Sequence, residues 1–237
     1  MRRETQNILL VLLGGALLKI GINGDYLRYV KPAQQPWVLA GGAVMLALGV
    51  VAIVRDVLAA RAAAAVAGDD HGHHHTARSA WLLVVPVLAV FLIAPPALGS
   101  DSVTRTDARA PTQATAVFPA LPPGNVVPLT MTEFVTRAGW DSTGSLDNRT
   151  VQLTGFVTHR GNSVLLARMV ITCCAADAFP VTVRLNGSQA ASYPNDVWLD
   201  VTGQVVPGTA VRANDYTADF TIATVRHIAA PKDPYED

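Results

Sequence analysis

Hydrophobic positions divide the chain into an apolar N-terminal part and a C-terminal part in which they alternate with polar ones. Residues 37–54 and 80–98 are uncharged apolar runs, each close to the ~20 residues that a helix needs to cross about 30 Å of hydrocarbon. Residues 8–22 form a shorter run that contains Lys19. We interpret the three runs as N-terminal transmembrane helices, which makes residues 1–98 the membrane region.

The first run has a second interpretation as a cleaved signal peptide, because Arg2 and Arg3 precede an apolar stretch. No small-residue cleavage site follows it, and the chain continues as NGDY. Lys19 can reach the interface, and Tyr26 and Tyr29 suit the same region. We therefore favour an uncleaved span.

Basic residues beside the spans give a small bias in orientation. With the N-terminus inside, five of them are cytoplasmic: Arg2, Arg3, Arg55, Arg61 and Arg78. Four lie on the other side: Arg28, Lys31, Arg105 and Arg109. The positive-inside rule then predicts a multi-pass plasma-membrane protein with a cytoplasmic N-terminus and an extracytoplasmic C-terminal domain.

The alternating positions predict a β-rich domain at residues 128–230. Two strand-like runs, VQLTGFV and LDVTGQV, carry Gly155 and Gly203 where a strand would bend. A short helix at residues 128–138 could begin at Thr130 or Thr132. We predict an OB-like small β-barrel, with an open sandwich as the alternative. The strand-like runs are residues 150–158, 164–173, 180–185, 197–206 and 220–228.

The remaining segments and the charge balance limit the function. Residues 99–127 collect Ser, Thr, Asp and Pro, which predicts a linker that holds the domain away from the bilayer, and residues 231–237 are a tail. Eighteen basic and eighteen acidic residues cancel, so no basic field attracts nucleic acid. The expected barrel face also lacks stacking aromatics in a basic setting. We expect no nucleic-acid partner.

A histidine tract lies between the second and third spans. In the run DDHGHHH, His71, His73, His74 and His75 follow two aspartates. Imidazole and carboxylate groups bind zinc, nickel and copper, and short His-rich tracts are known metal-binding compositions. A flexible polar linker is the alternative interpretation, because the tract has no rigid scaffold that would fix a coordination geometry.

The two cysteines are adjacent, at the end of the second predicted strand, in ITCCAADAFP. Their Cα atoms lie about 3.8 Å apart, below the usual disulfide range. Both thiols can serve one site only if the strand breaks there. Cys173, Cys174 and Asp177 are then candidate ligands for zinc or copper, with His159 and His227 as further candidates. The alternative is that the cysteines merely pack.

The chain resembles the YcgQ-like family of small membrane proteins. The resemblance depends on GDYLRYVKP at residues 24–32, the histidine loop, APPALGS at residues 94–100 and ITCCAADA at residues 171–178. It implies a partner subunit of a predicted multi-span permease, without a known substrate or catalytic residues.

No protease, hydrolase or phosphate-binding motif occurs, so we expect no enzyme activity. Three helices with only Lys19 charged do not line a polar path, and transport would need the permease. The hypothesis is a non-enzymatic accessory subunit whose outer domain docks on a partner or handles metal. The alternatives are an extracytoplasmic thiol oxidoreductase and a stand-alone metal-binding membrane protein.

Overall fold

The computed structural model describes residues 3–64, 85, 88–89, 92–93, 96–106 and 118–236. These residues form two compact units. The first contains Met1–Tyr26 and Pro32–Pro96, and the second contains Leu27–Lys31 and Ala97–Asp237. The short segment Leu27–Lys31 therefore belongs to the unit of the C-terminal domain, although both neighbouring segments in the chain belong to the first unit.

Two long helices account for most of the described part of the first unit. Helix α1 is Arg3–Asn23 and α2 is Gln35–Ala64, and the 3-10 turns Asp25–Arg28 and Pro32–Gln34 follow between them. The stretches Gln6–Asn23 and Pro32–Ala62 are long and apolar enough to cross a membrane. The third predicted span, residues 80–98, lies mostly outside the described residues.

Helices α1 and α2 pack through glycine. A Cβ atom on Gly14 would lie 2.8 Å from the carbonyl oxygen of Gly42, and one on Gly49 would lie 2.7 Å from a methyl of Val11. Small residues allow backbones to approach this closely, as in packed membrane helices. The side chain of Asn7 also donates a hydrogen bond to Asp56 at 2.8 Å. Glycine and this polar pair hold the two helices as one hairpin.

The second unit is a mixed β-sheet domain with two α-helices among its described residues. Its helices are α3, Ser100–Arg105, and α4, Met131–Trp140. Thr130 caps α4 by accepting the Glu133 amide at 3.0 Å. The strands are β1 Val127–Pro128, β2 Val151–Arg160, β3 Ser163–Val170, β4 Phe179–Asn186, β5 Trp198–Val205, β6 Ala218–His227 and β7 Tyr235–Glu236.

The five long strands pair in a cycle. Strand β2 is antiparallel to β3 and β5, β5 is antiparallel to β6, β6 is parallel to β4, and β4 is antiparallel to β3. The short β1 adds to β2 and the short β7 to β3, both in parallel. The ladder between β5 and β6 shifts register between Thr202 and Gly203. Each of the five strands is therefore paired on both sides.

Two apolar clusters stabilise the domain. The larger one joins the strands to α4, and Phe134 meets Phe220 edge to face at 5.5 Å. The smaller one contains Phe156, Met169 and Tyr235 together with Val103 of α3. Burial of such side chains contributes about 1.5–3 kcal/mol each, so α3 is an integral part of the domain.

Two short elements lie in the segments predicted as linker and tail. Within the predicted linker, residues 99–127, Val103 of α3 is fully buried. The amide and hydroxyl of Ser100 also donate to Asp196 at 2.6 and 2.8 Å. Helix α3 buries one apolar residue, Val103. A single apolar position shows no periodicity, so the hydrophobic pattern could not predict this helix. Within the predicted tail, Tyr235 and Glu236 form β7 on the edge of β3.

Candidate metal-binding site

The chain leaves β3 at Val170 and makes a tight turn before β4 begins at Phe179. Ala175–Asp177 is a 3-10 turn, and the carboxylate of Asp177 points back along it. The backbone amides of Thr172 and Cys173 each donate to one of its oxygens, both at 2.8 Å. These two hydrogen bonds close a turn that ends the strand at the cysteines. Both thiols can serve one site only if the strand breaks at this position.

Three potential ligand atoms converge on this turn. The sulfurs of Cys173 and Cys174 and a carboxylate oxygen of Asp177 all lie within 4.8 Å of one another. Cys173 is exposed and Cys174 is partly buried. Neither thiol is enclosed in an apolar cluster, so neither has the burial expected of a packing cysteine.

Hydrogen bonding couples the charges of the three groups. The bond to Asp177, followed by the one to Cys174, raises the pKa of the Cys173 thiol to about 11. The same bond from Cys173, with the Thr172 amide, lowers the pKa of Asp177 to about 2. At neutral pH the carboxylate is ionised and the Cys173 thiol keeps its proton. A nucleophilic cysteine and a metal-bound cysteine both need the thiolate, so either role requires loss of this proton.

A remote segment holds the same turn. We call Leu27–Lys31 the strap, because it lies between α1 and α2 in sequence and packs with the β domain. Val30 forms an isolated antiparallel bridge with Cys174. The Ala175 amide donates to the Tyr29 carbonyl at 2.7 Å. The strap thus contacts the backbone of one candidate ligand and of the residue after it.

The two further candidates among the described residues, His159 and His227, do not join this cluster. His159 pairs with Val164 at the start of β3, at the opposite end of that strand from the cysteines, and its ring contacts the Tyr193 carbonyl at 2.9 Å. His227 stacks on the Tyr193 ring. His71, His73, His74 and His75 lie outside the described residues.

The donor set fits a soft or borderline metal ion. Zinc is bound by cysteine thiolates and by carboxylates, and binding would displace the thiol protons. The carboxylate of Asp177 is already oriented by two amides, which is how outer hydrogen bonds fix a metal ligand. Three protein ligands leave a fourth tetrahedral position open.

Comparison with known proteins gives domains without an assigned activity. Residues 5–108 match the DUF1980 N-terminal domain and residues 140–236 match the DUF1980 C-terminal domain. No curated protein matches the chain. A crystal structure of a Leishmania major Friedlin protein, assigned provisionally as an aspartyl-tRNA synthetase, is 10% identical with a TM-score of 0.24. That match covers 54% of this chain and 24% of the other, and no functional argument follows from it.

Proposed function

We propose that this chain, which carries both domains of the uncharacterised DUF1980 family, is a non-enzymatic membrane subunit whose β domain binds a zinc ion. Cys173, Cys174 and Asp177 are the proposed ligands. The observation that carries the proposal is the convergence of their ligand atoms within 4.8 Å on a turn held by backbone hydrogen bonds.

Zinc fits these donors better than copper. Copper(I) selects thiolate and thioether sulfur, whereas zinc also takes carboxylate oxygen. The Asp177 carboxylate is ionised and adjacent to both sulfurs, so it favours the zinc assignment. The competing thiol oxidoreductase is less well supported, because the two cysteines are adjacent and their Cα spacing lies below the usual disulfide range.

The strap supports a three-span topology. If α1 and α2 cross the bilayer, the strap between them lies on one side, and so does the β domain with which it pairs. Helix α2 ends on the opposite side, so the chain must cross once more between Ala64 and Ala97. The apolar run at residues 80–98 is available for that crossing. With the basic-residue bias, the β domain is proposed to be extracytoplasmic.

The cyclic strand order supports an OB-like barrel for the β domain. Val103 and Tyr235 pack beside Phe156 and Met169 in the smaller apolar cluster. The chain itself therefore covers these residues of β2 and β3. This covering fits the expectation that the barrel does not bind nucleic acid.

The partner is proposed from the resemblance to YcgQ-like proteins, which implies a permease with many spans. Several large apolar side chains of α2 are exposed, among them Val44, Leu48 and Val51. Such a surface fits lipid or another membrane helix, and offers no polar conduction path of its own. Copurification from a mild detergent, followed by mass spectrometry, would identify the permease.

Cobalt and zinc binding to the purified full-length protein tests the metal site. His71, His73, His74 and His75 are first changed to asparagine, so that the tract does not contribute. One Co²⁺ per chain should bind to the metal-free protein, release protons and give a sulfur-to-cobalt charge-transfer band, and Zn²⁺ should then displace the bound cobalt.

The ligand variants then assign the donors. Cys173→Ser with Cys174→Ser should abolish the band, and Asp177→Asn should weaken zinc binding about tenfold or more. His159→Asn is the matched control and should bind normally. Absence of binding by the parent protein would refute the metal proposal. If the protein binds copper(I) and Asp177→Asn does not weaken that binding, the site would be assigned to copper rather than to zinc.

A further inference from the structure

The strap acts on the backbone that carries the proposed ligands. Its Val30 pairs with Cys174, and its Tyr29 carbonyl accepts the amide of Ala175. Both contacts fall at the point where the chain must hold two neighbouring sulfurs toward one ion. On the far side of the turn, Asp177 is fixed by the amides of Thr172 and Cys173. The strap therefore supplies one of two supports for the ligand geometry.

Tyr235 fixes the strap from β7. Its hydroxyl donates to the Arg28 carbonyl at 2.8 Å and accepts the Leu98 amide at 3.1 Å. Tyr235 is 5% exposed, and its ring belongs to the smaller apolar cluster. Because Arg28 directly precedes Tyr29, loss of this hydroxyl would loosen the strap without changing any proposed ligand.

We propose that the strap is a positioning element for the zinc site and that zinc occupancy in turn holds the strap in place. This inference rests on the zinc site proposed above. Equilibrium coupling is reciprocal, so a seated strap that tightens zinc binding must itself be stabilised by bound zinc to the same degree. Because the strap joins α1 to α2 in the chain, zinc occupancy restrains the connection between the two apolar helices.

The first test measures zinc affinity in the full-length protein with the four tract histidines changed to asparagine. Tyr235→Phe keeps the ring and removes the hydroxyl, and should weaken binding about 2- to 10-fold, as expected for one hydrogen bond. Replacing residues 27–31 by Gly-Ser-Gly-Ser-Gly should weaken it about 10- to 100-fold, as for an outer support of a metal ligand. Tyr193→Phe, beside His159, is the control and should leave the affinity unchanged.

Combining the variants shows whether Tyr235 acts through the strap. In the strap replacement, Tyr235→Phe should have no further effect, because the carbonyl that it holds is no longer fixed. If the strap replacement loses the circular dichroism of the folded domain, Tyr235→Phe in the intact chain decides the result. Unchanged zinc affinity in Tyr235→Phe would then overturn the positioning role.

Hydrogen exchange supplies the reciprocal test. Zinc should slow amide exchange at residues 28–31 of the full-length protein, and should not do so when both cysteines are serine. If the parent protein shows no cobalt band, the zinc proposal fails and this inference fails with it. A different result is a cobalt band in the parent protein without any effect of zinc on amide exchange in the strap, and with the same zinc affinity in Tyr235→Phe and in the strap replacement. The zinc site then stands and the coupling is overturned.

Discussion

Asp177 and Asp141 of the β domain each accept hydrogen bonds from two backbone amides of the adjacent turn. Asp177 does so at the cysteine turn, and Asp141 does so after α4. Asp141 accepts the Thr143 amide at 2.8 Å, the Thr143 hydroxyl at 2.6 Å and the Ser145 amide at 3.1 Å. Burial alone would raise the pKa of Asp141, but the bonds from Ser145 and Thr143 lower it to about 2. Such a carboxylate accepts these hydrogen bonds most strongly while it is ionised.

Asp141→Asn should therefore destabilise the protein in a pH-dependent way. A depressed carboxyl pKa contributes stability that is present above the unfolded value near 4 and is lost as the pH falls toward 2. At pH 7 the variant should unfold about 2–4 °C lower, for a cost of roughly 1 kcal/mol or less after solvent screening. Thermal unfolding followed by circular dichroism from pH 7 to pH 2.5 should show the difference shrinking.

Asp215→Asn is the control for this measurement, because it makes the same charge change at an exposed turn. It should leave the unfolding temperature nearly unchanged. A difference between Asp141→Asn and the parent protein that persists undiminished at low pH would contradict the role of the ionised carboxylate.

Part of the candidate site was predictable from the amino-acid pattern. The adjacency of Cys173 and Cys174 required a break in the strand, and the following Asp177 was close enough in sequence to turn back on it. His159 and His227 could not be placed, because alternation shows which face a residue occupies but not which strand ends meet. Local chemistry was therefore predictable, whereas convergence of distant side chains depended on the strand order.

At the scale of elements, glycine lets neighbouring strands approach. A Cβ atom on Gly155 of β2 would lie 2.6 Å from the Ala167 carbonyl oxygen of β3. One on Gly203 of β5 would collide with the Thr221 carbonyl oxygen of β6, next to the register shift. These are the two glycines that the sequence marked as bends. Because their neighbours are backbone atoms, the neighbours cannot move aside as a flexible side chain would.

Gly155→Ala and Gly203→Ala should each destabilise the β domain by about 1–3 kcal/mol or more, the range for overpacking. Chemical denaturation of the purified protein, followed by tryptophan fluorescence, measures the loss. Gly41→Ala makes the same chemical change in α2, where an added Cβ atom meets nothing within 4 Å. It should be neutral or slightly stabilising. If Gly203→Ala leaves the free energy of unfolding unchanged, strands β5 and β6 can move apart without loss of stability.

The helices and strands whose apolar residues recur with a regular period were predictable from the sequence. The five alternating runs coincide with β2 to β6 to within three residues at each end, because one buried face imposes a period of two. Helix α4 was also anticipated, with Thr130 as one of two candidate caps. The strap, α3 and β7 carried no such signal, since each is short and is fixed by partners far away in the chain.

At the scale of the whole molecule, the strap and the β domain should lie on the same side of the membrane. Single cysteines at Ala33 and Ala120, with both native cysteines changed to serine, should react with an impermeant thiol reagent on intact cells. Both positions are exposed in the structure. A cysteine at Ala60, in the last part of α2, should react only after the membrane is permeabilised.

The labelling pattern at positions 33, 60 and 120 distinguishes the alternative membrane topologies. Labelling of Ala33 and Ala120 from opposite sides would contradict the third crossing between Ala64 and Ala97. If the cysteines at positions 33 and 120 are both labelled only after permeabilisation, the three-span topology is retained. The orientation is then opposite to the one expected from the basic residues. Reaction of Ala60 together with Ala33 on intact cells would show that α2 does not span.

The bond between Arg28 and Tyr235 also has a consequence for the order of synthesis. Its two residues are 207 positions apart, so at about 5–20 residues per second the strap waits roughly 10–40 s for its partner to be made. Both apolar helices are complete long before then. A ribosome that stops short of Tyr235 releases a chain whose strap has lost the hydroxyl that holds it. The synthesis of β7 thus determines when the strap of the nascent protein acquires its final contacts.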